Sequence, residues 1–376
     1  MTSEIYIILH QPLSNYILDR FGFNHDFHNI TYLNILPLIN SKVSQSYNNS
    51  NYKKDNFINF TSIISLLKFL IRKKNNFFYT NTTGKNFFSI LIDFIFNFQN
   101  GIKFDVIQTS LPLGKIGRKN LKNSFRLPKL ILIKKLTSKI VDIFNNFIYK
   151  LLCRDAEIIF VSNNHAFDKL NKKKLIFKIN QLDYYNFNKS NHENIVQDYF
   201  CFIDQEQENS FENQLYFTSY IPNYLDRISK LLKLIEKKTQ LKVKIALHHR
   251  NKDIPIQYSS FDCIKDHSMD LIKNSKFVVT HNSTALNFAI MSKKPINLIW
   301  LNEFKARLSK NATMKKLAED LDCNIIDEHQ NLDDITFQKQ INEIKYNEFL
   351  KSYINFNEKI PLEHPWKTIH KQLGKL

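Results

Sequence analysis

The sequence predicts an α/β chain of two domains, each built on a doubly wound parallel sheet. Three observations lead there. At 376 residues the chain is longer than one hydrophobic core ordinarily organises. Short apolar runs alternate with stretches of helical periodicity in both halves, the pattern of parallel strands joined by crossover helices. Between the halves, "NFNKSNHENIVQD" (Asn186 to Asp198) drops in hydrophobicity and reads as a linker. The expected bounds are residues 1–190 for the first domain and 198–350 for the second, with residues 351–376 as a helical segment packing back on the first.

In the first half, "EIYIILH" is a strand and the Asn-rich stretch from Ser41 to Lys54 a loop. Apolar periodic segments at Ile63 to Ile71 and Phe87 to Phe98 predict helices, and "KFDVIQTSLP" a strand entering a turn. The basic loop "GKIGRK" follows; its Lys115 and Arg118 could hold an acidic acceptor or simply form a surface turn. An amphipathic stretch from Lys129 to Leu152 leads into the apolar "AEIIFVSNN", a buried strand.

The second half alternates more clearly. "YFCFID" is a strand, and Ile221 to Lys238 sets Leu225, Ile228, Leu232 and Ile235 on one helical face, with Pro222 in its first turn. "KVKIALHHR" is the next strand, "SMDLIKNS" a short helix, "KFVVTH" a strand, "STALNFAIMSK" a helix and "PINLIW" a strand. The segments "EFKARLSKNATMKKLAEDL" and "NIID" repeat the unit, and the chain from Thr336 onward reads as helical.

Hydrophobic residues at 43% and aromatic residues at 13% suffice to fill two cores. Lys+Arg 53 against Asp+Glu 35 leaves a formal charge of +18, which implies an anionic partner: nucleic acid, a phosphorylated metabolite or an acidic membrane surface. The richness in Asn, Lys, Ile and Phe also fits an AT-rich codon bias, which weakens that inference. The four cysteines lie far apart with no C-x-x-C pair, so a reduced, cytoplasmic chain without a structural metal is expected. The start "MTSEIYIILHQP" lacks a basic leader and a small-residue cleavage site, and predicts no signal peptide. Its longest apolar windows fall short of the roughly 20 residues that span a bilayer. A soluble or peripheral protein follows as the expectation.

Glycine narrows the chemistry. No glycine stands between Gly117 and Gly374, so the second half has neither a G-x-G-x-x-G turn nor a P-loop. A phosphate there must be held by hydroxyls, imidazoles and ordinary helix N-termini. In open parallel sheets ligands gather at the carboxyl ends of the strands. Those ends carry Asp204, then His248, His249 and Arg250, then His281. Asp204 is a candidate general base, with Glu206 and Glu208 as rivals. His248 can donate to a phosphate or protonate a leaving one, and Arg250 offers a forked donor. His281, Asn282, Ser283 and Thr284 crowd the turn where the next helix would expose its first N–H groups. Each also has a bland reading: Ser and Thr cap helices that bind nothing, strands end in water with polar residues, and His249 is structural.

The order of strand-end acid, "HHR" and "LIKNSKFVVTHNSTALNFAIMSKKPI" resembles the second domain of GT-B glycosyltransferases, particularly bacterial proteins of surface carbohydrate (lipopolysaccharide or capsule) biosynthesis. The turn is similar to the His and Ser/Thr motifs of bacterial sialyltransferases of that fold. His249 departs from the usual proline. The resemblance covers Tyr199 to Trp300 best. It implies two Rossmann-like domains facing a central cleft, with a C-terminal helix returning to the first. The implied activity is inverting, metal-independent transfer of a sugar from a nucleotide-sugar donor in the second domain to a glycan or lipid-linked acceptor in the first. It needs no cofactor. Asp204 and His248 would be catalytic, and Arg250, His281, Asn282, Ser283 and Thr284 would hold the nucleotide phosphates. Positive charge would then serve docking on the anionic inner face of the plasma membrane. Two other functions remain open: a non-enzymatic binder of nucleic acid or another polyanion, for which the scattered lysines and lack of a nucleic-acid module are unfavourable, and a glycerol-phosphate-type transferase on the same fold.

Overall fold

The computed structural model describes residues 3–11, 15–23, 27, 29–41, 44, 56–72, 76–82, 86–108, 129–170, 174–190, 195–205, 221–249, 251, 253–303, 308–330, 334–356 and 360–376. They form two wholly parallel sheets flanked by helices. The first contains β1 (Glu4–Leu9), β2 (Ile30–Asn34), β3 (Phe57–Asn59), β4 (Phe77–Asn81), β5 (Ile102–Ile107), β6 (Ile158–Val161) and β7 (Leu175–Lys178), in the order β3-β2-β1-β4-β5-β6-β7. The second contains β8 (Tyr199–Ile203), β9 (Lys242–Leu247), β10 (Asp262–Lys265), β11 (Val278–Thr280), β12 (Ile296–Trp300) and β13 (Asn324–Asp327), in the order β10-β9-β8-β11-β12-β13. Each chain path runs outward to one edge, returns to the middle and runs to the other, which is the doubly wound pattern.

Position in the sheet explains each strand's composition. The central β8, "YFCFI", is buried at every residue, and β1 exposes only Glu4, because helices cover both faces of a parallel sheet. Edge strand β10, "DCIK", has exposed ends and half-buried middle residues; such short charged edges resist pairing with other chains. Helices pack on these faces through the sides their periodicity marks. In the helix Tyr224–Thr239, Ile228, Leu232 and Ile235 are buried against the second sheet, while Leu225 is only partly buried. The helix Phe87–Phe98 begins in a capping box between Asn86 and Ser89.

The C-terminal segment crosses from one sheet to the other. Tyr346, Phe349, Tyr353 and Ile354 pack in the second core, Phe356 joins Val161 and Ala166 of the first domain, and Trp366, Ile369 and Leu373 enter the first core. Asn180 Nδ2 donates to the carbonyls of Pro361 and Glu363 at 2.7 and 3.0 Å, and Trp366 Nε1 to that of Arg20 at 2.7 Å. Gly22 lies beneath this helix at a φ of +70°, and a Cβ there would come within 2.7 Å of the Trp366 Cβ.

Several expectations change. Residues 186–198 do not form one continuous linker: the helix Leu182–Lys189 occupies its start, and its Asp183 and Asn186 side chains are held by partners in both domains. Strands β2, β3, β4, β7 and β10 were not expected as strands. The helix expected from Ser283 begins at Leu286. The "GKIGRK" loop, with Lys115 and Arg118, lies outside the described residues.

Candidate active site at the strand tips of the second sheet

The doubly wound order places a switch point between β8 and β11, where neighbouring connections leave in opposite directions and open a crevice at the carboxyl ends. Register shows which residues meet there. Ile203 of β8 pairs with Ala246 of β9, Val279 of β11 with Phe202 of β8, and Thr280 with Leu298 of β12. Asp204, Leu247, His281 and Ile299 therefore fall in one row across four adjacent strands, at the roughly 4.8 Å spacing of a sheet. His248 follows one residue beyond that row.

Asp204 is only 2% exposed. Its amide donates to the Ala246 carbonyl at 3.1 Å, and its carboxylate accepts from Asn251 Nδ2 at 2.9 Å and, at the longer distance of 3.5 Å, from the Tyr258 hydroxyl. Burial, aided by the Asp204 charge, raises the Tyr258 pKa well above its ordinary value, so this phenol remains a donor. Asp204 thus fixes the segment after β9 over the crevice. His248 is half-buried at the tip of β9, its ring centroid 4.2 Å from that of His249, and is the more accessible of the two groups expected to move protons.

His281 is the next residue in the row. It is fully buried, with Nδ1 2.9 Å from the Ile299 carbonyl and Nε2 3.1 Å from the Tyr224 hydroxyl. A carbonyl can only accept, so Nδ1 carries a proton, and Nε2 shares a hydrogen bond with the Tyr224 hydroxyl. The ring is a buried brace between β11, β12 and the helix Tyr224–Thr239. Asn282 and Ser283 are half-buried and Thr284 is exposed. Ser283 Oγ accepts from the Ala285 amide at 3.3 Å, and the Leu286 and Asn287 amides donate to the Ser283 and Thr284 carbonyls. These three residues therefore form a tight polar turn ahead of the helix. Arg250, Glu206 and Glu208 lie outside the described residues.

A second polar group at the same sheet end was missed by the sequence reading. Arg227, in the first turn of its helix, reaches over the tips of β12 and β13. Its Nη1 and Nη2 donate to the two carboxylate oxygens of Glu303 at 2.8 and 3.0 Å, and its Nε and Nη2 to Glu328 at 2.9 and 2.6 Å. The Asn302 amide also donates to Glu328 at 2.8 Å. The strand-end rule that singled out Asp204 applies equally to the acids after "PINLIW" and "NIID"; Arg227 gave no such signal.

The switch point of the first sheet, between β1 and β4, holds a polar cavity of about 280 Å³ lined by Gln11, Arg20, Thr80, Asn81, Asp105 and Gln108, among others, and closed by Trp366 of the returning helix. Desolvation raises the Asp105 pKa, opposed by the charge of Lys103. A larger recess of about 570 Å³ opens beside Ala156, Glu157 and Leu175, where β6 and β7 begin, at the amino ends of the strands. Among the described residues no group of three or more His, Cys, Asp or Glu side chains is arranged to hold a metal ion.

No family model and no curated protein matches the chain. Solved structures do. A histidine-to-alanine variant of the wall teichoic acid polymerase TagF has a TM-score of 0.56 at 11% identity, covering 100% of this chain and 90% of that one. A histidine-to-asparagine variant of TagF gives 0.55 at 12% identity, with 100% and 89% covered. Methanocaldococcus jannaschii UDP-GlcNAc 2-epimerase in complex with UDP-GlcNAc and UDP overlaps less closely, with a TM-score of 0.47 at 13% identity and 99% and 100% covered. The TagF likeness, with the two sheet orders, defines the class by fold: two Rossmann-like domains in the GT-B arrangement.

Proposed function

We propose that the chain is an inverting, metal-independent glycosyltransferase that moves a sugar from a nucleotide-sugar donor to a cell-surface glycan or a lipid-linked acceptor. The observation that carries this reading is the pair of polar switch points, one in each sheet: a row of strand tips with His248, Asp204 and the 282–284 turn in the second, and a polyol-sized polar cavity in the first. In the reaction an acceptor hydroxyl oxygen bonds to the anomeric carbon as that carbon's bond to the phosphate oxygen breaks. The hydroxyl proton passes to a carboxylate of the 204–208 stretch. The nucleotide leaves with the bonding electrons, and His248, Arg250 and the hydroxyls of Ser283 and Thr284 donate to its phosphate oxygens, doing by hydrogen bonds what a metal ion would otherwise do. Asp204 is buried, so its work is first to position Asn251 and Tyr258; Glu206 and Glu208 are its rivals for the proton. The acceptor occupies the first-sheet cavity. Cytoplasmic placement on the inner face of an anionic membrane, in lipopolysaccharide or capsule assembly, fits the net charge of +18.

Nucleotide release from UDP-, GDP- and CMP-sugars, assayed with a mixed glycan pool, tests the reading, and CDP-glycerol in the same panel separates a glycerol-phosphate-type transferase. One nucleotide sugar is consumed, and His248→Ala lowers its turnover by about 10²-fold or more with unchanged unfolding. Consumption of none, or full turnover in both His248→Ala and Ser283→Ala, contradicts it.

A further inference from the structure

Three helices lie side by side on one face of the first sheet: Ile63–Arg72, Phe87–Phe98 and Lys129–Leu152. Inner residues of the first two, Leu66, Leu70, Ile92 and Phe96, pack on β1 and β4, and Tyr149 of the third accepts from Lys103 of β5 at 2.6 Å. Their outer surface is unusual. Ile64 and Ile71 on the first helix, Phe87 and Phe98 on the second, and Phe144 and Phe147 on the third are all exposed, Phe98 by 84% and the last two by 62% each. Soluble monomers rarely leave so many large apolar side chains together in water.

The sequences of these helices are one-sided in charge. Lys68 and Arg72 belong to the first helix and five lysines, from Lys129 to Lys150, to the third; the acids of all three helices are Asp93 and Asp142. Asp93 is buried and paired with Lys103 at 2.6 Å, so it offers no charge outward. No helix among the described residues is long and apolar enough to cross a membrane. Exposed apolar side chains on helices that also expose Lys68, Arg72 and Lys150 and cannot span a bilayer match the physics of a surface that lies in the headgroup region, with aromatic and aliphatic groups at the acyl boundary and cations on anionic headgroups.

We infer that this three-helix layer is a docking surface for an anionic lipid bilayer. Two copies of the chain meeting through it would oppose like charges. A nucleic acid would leave the isoleucines and phenylalanines in water. The inference takes from the proposed function only the notion of an acceptor carried by a membrane. The two can fail separately: vesicle binding without sugar transfer removes that function and leaves the surface, and transfer to a soluble acceptor without vesicle binding does the reverse.

Cosedimentation of the full chain with phosphatidylglycerol–phosphatidylcholine vesicles, against phosphatidylcholine alone, tests it. The protein pellets with the anionic vesicles, and the double variant Phe144→Glu/Phe147→Glu, or Phe98→Glu on the neighbouring helix, weakens partitioning by about tenfold or more at unchanged circular dichroism. Equal partitioning of wild type and these variants, or failure of the wild type to bind, overturns the inference. So does a dimer by light scattering that the double variant disperses while vesicles bind neither, since the face would then belong to a second copy.

Discussion

Asn287 donates its Nδ2 hydrogen to Asp183 Oδ2 at 2.7 Å in a fully buried contact, joining the helix Leu182–Lys189, which follows the first sheet, to the helix Leu286–Met291 of the second. Burial raises the Asp183 pKa to about 6, opposed by the Asn287 hydrogen bond and the Arg20 charge and reinforced by Asp19. A carboxyl with a raised folded-state pKa binds its proton more tightly in the folded chain, so its contribution is full below the unfolded value near 4 and is lost as pH rises through about 6. The difference amounts to roughly 3 kcal/mol at most. Stability measured by urea denaturation should fall between these pH values and level off above them. In Asp183→Asn that fall should shrink; an unchanged pH slope would show that the carboxyl is not held as described.

Arg227 is the fork on which the tips of β12 and β13 depend. Glu303 and Glu328 both accept from it in paired geometry, and Glu328 is largely buried. Arg227→Met leaves that carboxylate without its main partner, at a cost of about 2 to 3 kcal/mol. Arg227→Lys should recover only part of this, because an ammonium cannot make the planar double pairing. Chemical denaturation of the two variants checks the order; equal stability of both with wild type would contradict it.

Gly22 has no room for a side chain. Its φ of +70° disfavours any L residue, and the Cβ would strike Trp366. Gly22→Ala is therefore expected to destabilise by about 2 kcal/mol or more, loosening the returning C-terminal helix. A lower melting temperature together with a red-shifted Trp366 emission is the expected signature, and an unchanged spectrum would separate the helix from the turn.

How much of this could be read in the residues depends on where they sit. Strands β1, β8, β9 and β12 are apolar runs and legible, whereas β4, "FFYTN", is central and buried at four of its five residues but too mixed with Tyr, Thr and Asn to stand out. β10, "DCIK", and β7, "LIFK", stand at edges, where half-exposed residues carry no alternating or continuous apolar signal. Strand-end logic located Asp204 and His281, because the row of tips follows from strand order. It could not tell that His281 is a buried brace, since its partner, Tyr224, lies 57 residues away. The Arg227 cluster was hidden for the same reason: its partners are 76 and 101 residues away, and only the crossovers bring them together. The helix Lys129–Leu152 was recognisable as amphipathic, but its exposed phenylalanines emerge only once the sheet leaves them uncovered.

The measurement closest to the central proposal is thermal unfolding of the chain with UDP, GDP and CMP, compared with His248→Ala and Ser283→Ala. A ligand at a hundredfold excess over its Kd stabilises the folded state by about 2.7 kcal/mol. One nucleotide should raise the wild-type melting temperature and lose most of that effect in both variants. A melting temperature indifferent to all three nucleotides, or the same rise in wild type and variants, would mean that the strand tips of the second sheet do not form a nucleotide site.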